Sequence, residues 1–144
     1  TGEPFAASLP DEPESWQPVL EIGLNSDRAH LVERLNQRVE KMWQRGLVAE
    51  VEQLIAQGLR EAKTSKRAIG YAQALAQLDG EIPEAEAIEQ TKLLTARYAR
   101  RQMSWFRRDK RINWLDYQDS QSQGKAIDMS LRWVASGEQP AVGE

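Results

Sequence analysis

Apolar residues recur every three or four positions along most of the chain, and this spacing constrains the fold more than any other feature of the sequence. From Arg28 onwards it is carried by Leu31, Leu35, Val39 and Met42, and later stretches repeat it. The spacing places apolar side chains on one side of an α-helix. The sequence therefore predicts a mostly α-helical protein.

The predicted helices begin at capping residues and end at glycines. The polar run 25–27 can cap the first helix, Gly46 can end it, and a second helix continues to Gly58. The longest predicted helix runs from Glu84 to about Arg108. A last amphipathic helix is indicated by three apolar residues at helical spacing, Ile127, Leu131 and Val134.

Two short runs, 19–24 and 112–116, have the composition of β-strands. A two-stranded sheet is marginal without further strands or good helix cover, so the pattern indicates one end of a larger α/β protein. Residues 1–18 are predicted to form an irregular entry segment, residues 19–136 the compact part, and residues 137–144 a tail.

The charge of the chain is small overall but unevenly distributed. The formal net charge of −3 argues against indiscriminate nucleic-acid binding, yet residues 97–111 carry seven Lys or Arg and a single acid, Asp109. This segment is a candidate surface for a polyanion. The lack of cysteine excludes disulfides and thiolate metal sites. Because no apolar run could span a bilayer and no secretory signal is visible, we expect a soluble, cytoplasmic protein without a membrane partner.

The arginines of the longest helix fall on one side of it. At about 100° per residue they occupy a sector roughly 120° wide, and they are Arg97, Arg100, Arg101, Arg107 and Arg108. The opposite sector, predicted to face the core, holds Leu94, Thr95, Tyr98, Ala99, Trp105 and Phe106. A solvated charged face is the ordinary interpretation of such a pattern. Since the cations are arginines that lack acidic residues one turn away, we favour polyanion binding slightly.

A second candidate anion site precedes Tyr71. A third helix is predicted to begin at Thr64 or Ser65 and to end before Asp79-Gly80, which would set two cations and a glycine near its N-terminus. These residues are Lys66, Arg67 and Gly70. Free N–H groups, the helix dipole and two cations would suit a phosphate. The alternative is a packing glycine beside two solvated cations.

Residues that could carry catalysis are missing from the sequence. The single histidine, His30, lies in the first turn of a predicted helix and is interpreted as a surface residue. There is no metal-ligand cluster, no Ser-His-Asp set and no G-x-x-x-x-G-K-[ST] phosphate loop. The residues alone therefore predict a helical anion-binding protein without catalytic machinery of its own.

Four segments, read in order, resemble the tRNA dimethylallyltransferase family. They are Asp27-Arg28 with Leu35-Asn36-Gln37-Arg38-Val39 and Gly46-Leu47, then Arg67-Ala68-Ile69-Gly70-Tyr71, then Arg100-Arg101-Gln102-Met103-Ser104-Trp105-Phe106-Arg107, and last Trp114-Leu115-Asp116. The signature over residues 100–105 makes the resemblance specific. It covers roughly residues 1–116.

The resemblance implies a P-loop-kinase-like α/β transferase, of which this chain is the mostly helical C-terminal part. It implies transfer of a dimethylallyl group from dimethylallyl diphosphate to N6 of the adenosine 3′ of the anticodon, with the tRNA anticodon stem-loop as partner. Nucleotide binding and Mg²⁺ are implied for the parent enzyme, with the Mg²⁺ ligands outside this sequence.

Site residues are implied by this resemblance as well. Diphosphate or tRNA contact is implied for Arg67, Gly70 and Tyr71. Contact with tRNA is implied for Arg97, Arg100, Arg101, Gln102, Ser104, Trp105 and Arg107. Two positions depart from the family pattern, because Ala72 and Ala96 stand where a basic residue is common.

Neither the phosphate loop nor the aspartate that acts as general base in the family is found in this sequence. We therefore expect no prenyltransferase activity from the chain alone, although it could supply cationic support for the departing diphosphate and part of the RNA-facing wall. The alternative is a non-enzymatic helical module that binds RNA or a protein through the arginine-rich helix.

Overall fold

Five α-helices and two short strands make up residues 17–137, the part of the chain that this computed structural model describes. In chain order they are β1 Ile22–Asn25, α1 Arg28–Gln44, α2 Leu47–Ile55, α3 Tyr71–Leu78, α4 Glu84–Phe106, β2 Asn113–Asp116 and α5 Ser122–Ser136. The prediction of a mostly helical chain with two strands is confirmed. The predicted entry segment lies almost wholly outside the described residues, as does the tail after Gly137.

The two strands pair in parallel, with Ile22 opposite Asn113 and Asn25 opposite Asp116. β1 begins three residues later than predicted and extends one residue further. Gly23 is required at this pairing, because a Cβ there would lie 2.6 Å from Ile112 Cγ2 and equally close to the ring of Trp114. The strands can therefore approach only because this side chain is absent.

The described residues group into two compact units, one made of 17–25 with 105–137 and the other of 26–104. The 26–104 unit has two cores. Val39, Trp43, Leu47 and Ala87 form the first, and Val51, Leu59 and Ala74 form the second. Val48 and Tyr71 pack against both clusters, so these two side chains connect the two cores.

The first helix begins and ends where the sequence predicted. Asp27 is the N-cap, and its Oδ1 accepts a hydrogen bond from the backbone N–H of His30 at 2.9 Å. Gly46 separates α1 from α2 with a φ of +95°, a conformation that favours glycine. His30 is exposed, which agrees with its interpretation as a surface residue.

The third helix differs from its prediction at its N-terminus. Residues Ser65–Arg67 form a separate 3₁₀ turn, and α3 begins only at Tyr71. The break has a backbone cause, since Ala68 is extended and Gly70 has a φ of +97°. The N–H of Gly70 donates to Oε1 of Gln73 at 2.9 Å, which closes the new start of the helix. The predicted end at Asp79-Gly80 is confirmed.

The 17–25 and 105–137 unit holds the sheet and α5. Arg111 joins two acidic residues there, with Nη2 2.6 Å from Asp109 Oδ2 and 3.3 Å from Glu21 Oε1. The predicted helix α5 is present, but its apolar residues are exposed, at 52% for Ile127, 63% for Leu131 and 76% for Val134. Over residues 17–137, no helix is both long and apolar enough to cross a bilayer.

Candidate anion-binding site

The arginines of α4 and of the turn after it point into solvent. All five are exposed, and none forms an ion pair with another residue in the described part of the chain. They are Arg97, Arg100, Arg101, Arg107 and Arg108. Arg101 lies over the ring of Tyr98, with its Cζ 6.0 Å from the ring centroid. Gln102 and Ser104 are exposed as well. The predicted cationic segment is therefore accessible, and its contact with RNA stays a prediction.

The opposite side of α4 differs from its prediction, because only part of it is buried. It is buried at Ala87 and Thr91, yet Tyr98 is 51% and Trp105 57% exposed. The reason is that the core of the 26–104 unit packs around the first half of the helix. Trp105 instead meets Phe106 edge to face, with ring centroids 5.8 Å apart. The prediction that this face is core along its whole length is wrong for the described chain.

The segment before α3 differs from the predicted phosphate site. Arg67 is exposed but lies in the 3₁₀ turn, ahead of the helix, so the α3 dipole does not start beside it. Lys66 is held by a 2.9 Å hydrogen bond from its Nζ to the carbonyl of Arg60. Arg67 is therefore an exposed cation on a turn and does not lie at a helix N-terminus.

Tyr71 is half-buried and packs against the interior of its unit. Its hydroxyl donates to the carboxylate of Glu50, and this bond, together with burial, raises the pKa of Tyr71. Its ring packs against both cores. Gly70 beside it is buried. Of the three residues predicted here, Arg67 alone offers a charged group to a ligand.

A basic groove on α1 was missed by the sequence analysis. It is an open groove of about 490 Å³, lined by Arg34, Gln37, Arg38, Lys41, Met42 and Arg45. The four cations recur at intervals of four, three and four residues, which places them in a sector roughly 60° wide. The signal is in the sequence, but Glu33 and Glu40 lie on the same helix and cancel part of its charge.

The acids of α1 are engaged by groups other than the groove cations. Glu33 accepts a 2.8 Å hydrogen bond from the amide of Gln37, and Glu40 lies 2.7 Å from the Nζ of Lys92 on α4. The hydrogen bond from Lys92 to Glu40 is the main reason that the pKa of Lys92 is raised. Within residues 17–137, the three cations toward the C-terminal end of the groove have no ion-pair partner. These cations are Arg38, Lys41 and Arg45.

The groove adjoins the turn that carries Arg67. Met42 lines the groove, and its Cε lies 3.3 Å from the position that a Cβ would take at Gly70. The glycine therefore lets the turn approach α1 closely. In this way the tertiary structure brings Gly70, a predicted site residue, against Met42, which also lines the groove.

The metal implied by the resemblance finds no ligand set here. Among the described residues there is no group of three or more His, Cys, Asp or Glu side chains that could hold an ion. These residues therefore do not fit Mg²⁺.

Comparison with known proteins gives one consistent family. A family model described as IPP transferase matches residues 1–109. The tRNA dimethylallyltransferase of Kineococcus radiotolerans is 53% identical over 119 residues, which cover 83% of this chain and 37% of that protein. The tRNA dimethylallyltransferase of Paenarthrobacter aurescens is 50% identical over 127 residues, covering 88% and 41% of the two chains.

Solved structures agree with these relatives. The full-length tRNA isopentenylpyrophosphate transferase of Bacillus halodurans superimposes with a TM-score of 0.74 at 34% identity, over 84% of this chain and 40% of that one. The corresponding transferase of Staphylococcus epidermidis gives a TM-score of 0.70, also at 34% identity, over 78% and 38%. The chain thus spans about two fifths of the length of the relatives that it matches.

Proposed function

Because the chain belongs to the IPP transferase family, we propose that it is the C-terminal portion of a tRNA dimethylallyltransferase. The whole enzyme would transfer a dimethylallyl group from dimethylallyl diphosphate to N6 of the adenosine 3′ of the anticodon. The observation that carries this proposal is the family match over residues 1–109. A tRNA substrate also favours a cytoplasmic location.

The chemistry of this reaction explains the cations. N6 of the adenine attacks the first carbon of the dimethylallyl group, the bond from that carbon to the diphosphate oxygen breaks, and N6 passes a proton to a base. Negative charge grows on the departing diphosphate, and fixed cations stabilise it. The base is not found in this chain, whereas arginines without ion-pair partners are abundant on its described surface.

The exposed arginines of α4 suit the RNA substrate. Arginine binds phosphate oxygens through a planar fork of donors and also stacks on bases. Arg97, Arg100 and Arg101 stand within about one turn of one helix, so they can contact neighbouring phosphate groups of an RNA backbone. We therefore assign this segment to the wall that holds the anticodon stem-loop.

A hybrid enzyme tests the proposal. The matched two fifths of the Kineococcus radiotolerans transferase would be replaced by this chain, and prenylation of tRNA would be measured with labelled dimethylallyl diphosphate. We expect turnover by the hybrid and none by this chain alone. A hybrid that folds and binds tRNA but forms no prenylated adenosine would contradict the proposal, as would turnover by the isolated chain.

A further inference from the structure

We propose that the basic groove of α1 binds the phosphodiester backbone of RNA, as a second line of contact in addition to the arginines of α4. The proposal rests on the proposed function, because it takes tRNA as the substrate. It adds to that function a surface formed by Arg34, Arg38, Lys41 and Arg45, of which only Arg38 belongs to a segment that carries the family resemblance.

Charge is the first argument for an anionic ligand. The positions one helical turn before and after Arg38, Lys41 and Arg45 hold no acidic residue, so neighbours at this spacing on the helix do not neutralise these three cations. Arg38, Lys41 and Arg45 have no ion-pair partner among residues 17–137. Each faces another cation one turn away. The mutual repulsion is relieved when phosphate groups enter the groove.

The length of the groove indicates a polymer. From Arg38 to Arg45 the chain rises about 10 Å, since each helical residue adds about 1.5 Å. The two phosphates of a diphosphate share one bridging oxygen, so they reach across roughly one turn, or about 5 Å of helix. Three cations without ion-pair partners, spread over two turns, therefore match several phosphate groups along a backbone better than one diphosphate.

The lining indicates contact without base recognition. Besides its cations, the groove is lined by Gln37, whose amide is engaged with Glu33, and by the apolar Met42. No aromatic side chain is among these residues to stack on a base. Phosphate contacts position a nucleic acid and carry no direct sequence information. We therefore expect the groove to strengthen binding to any RNA of suitable shape.

The test compares two double variants of the chain that have the same net charge. Lys41→Gln with Arg45→Gln removes two groove cations and keeps side chains of similar reach. Lys63→Gln with Arg132→Gln removes two exposed cations elsewhere. Affinity for an anticodon stem-loop RNA is measured over a range of salt. Because each lost phosphate contact lowers the log–log salt slope by about 0.7 to 0.9, we expect the slope of the groove variant to fall by about 1.5 and that of the control to stay unchanged.

Two further arms separate the sources of phosphate. Binding of inorganic pyrophosphate is measured for the same variants. In addition, the single substitution Arg45→Lys keeps the positive charge, so we expect its salt slope for RNA binding to equal that of the wild-type chain. Loss of pyrophosphate binding with an unchanged RNA slope would make the groove a diphosphate site and overturn the proposal. An unchanged slope for both double variants would overturn it too. In either case prenylation by the hybrid enzyme would still uphold the proposed function, so the two failures are distinguishable.

Discussion

At the scale of single residues, Gly23 shows how closely the two strands approach each other. A methyl group there would lie 2.6 Å from Ile112 Cγ2 and from the ring of Trp114. We expect Gly23→Ala to lower the free energy of unfolding by roughly 1 to 3 kcal/mol through overpacking. Denaturant titration measures this change.

Gly124 provides the matched control for that substitution. It lies within α5, its φ is not positive, and nothing is within 4 Å of a Cβ built on it. Gly124→Ala should therefore stabilise the helix by about 0.5 to 1 kcal/mol, because alanine loses less backbone entropy than glycine. Equal effects of the two alanines would show that the contact at Gly23 is unimportant.

The ion pair between Asp109 and Arg111 predicts that the stability of the fold depends on pH. The hydrogen bond from Arg111 holds the pKa of Asp109 below its usual range. Since the folded pKa is the lower one, the stabilisation is present above the unfolded pKa of about 3.9. It is lost as the pH falls through the folded value.

Unfolding at pH 7 and pH 3 measures this contribution. Wild type should lose more stability between the two pH values than Asp109→Asn, by about 1 kcal/mol or less, because the pair is partly exposed. A variant with the same loss as wild type would mean that the ion pair does not stabilise the fold. Arg111 also contacts Glu21, so the variant should stay folded at pH 7.

At the scale of elements, α4 changes environment along its length. Its first half is buried at Ala87 and Thr91, whereas Trp105 near its end is 57% exposed. Trp43 of α1 is 8% exposed, and its Nε1 donates to Gln77 at 2.8 Å. We expect Trp43→Ala to cost roughly 3 to 5 kcal/mol, as for buried aromatic residues, and Trp105→Ala to cost about 1 kcal/mol or less. Chemical unfolding of both variants checks this order, and a reversed order would show that Trp105 is core.

The arginines of α4 make a prediction about binding rather than stability. Arg100→Ala and Arg101→Ala should each flatten the salt dependence of tRNA binding by about one unit or less on a log–log plot, because one phosphate contact is lost. Their stability should change by about 0.5 kcal/mol, which is usual for exposed residues. If these variants unfold the chain and leave tRNA affinity and its salt slope intact, the arginine side of α4 is a structural feature.

At the scale of the whole chain, apolar surface remains exposed on the unit that holds the sheet. Leu24 is 58% exposed on β1, and Leu131 and Val134 are 63% and 76% exposed on α5. Open strand edges and apolar surface promote association. We expect the isolated chain to self-associate and Leu131→Gln with Val134→Gln to reduce this, as measured by sedimentation. Arg132→Gln changes a residue of the same helix outside this apolar surface and should leave self-association unchanged. Equal sedimentation of both variants would show that the apolar surface of α5 does not mediate the association.

Local features were readable from the sequence because they depend on neighbours within a few positions. Asp27 caps α1, Gly46 ends it, and the apolar spacing over α5 predicted a helix that is present. The arginine side of α4 follows from helix periodicity in the same way. The family resemblance, carried by the signature over residues 100–105, was likewise a property of the sequence and agrees with the family match over residues 1–109.

Features that depend on contacts between distant segments were decided only by the tertiary structure. The apolar side of α4 was expected to be core throughout, but burial depends on what packs against it, and the buried residues of the helix, Ala87 and Thr91, lie in its first half. Gly70 adopts a positive φ where the turn approaches Met42, which moves the start of α3. Glu40 of α1 is bound by Lys92, 52 residues away in sequence, a contact that the spacing within α1 could not predict. Periodicity assigns side chains to the sides of a helix, but only the packing of other segments determines which side is covered and which charges remain unpaired.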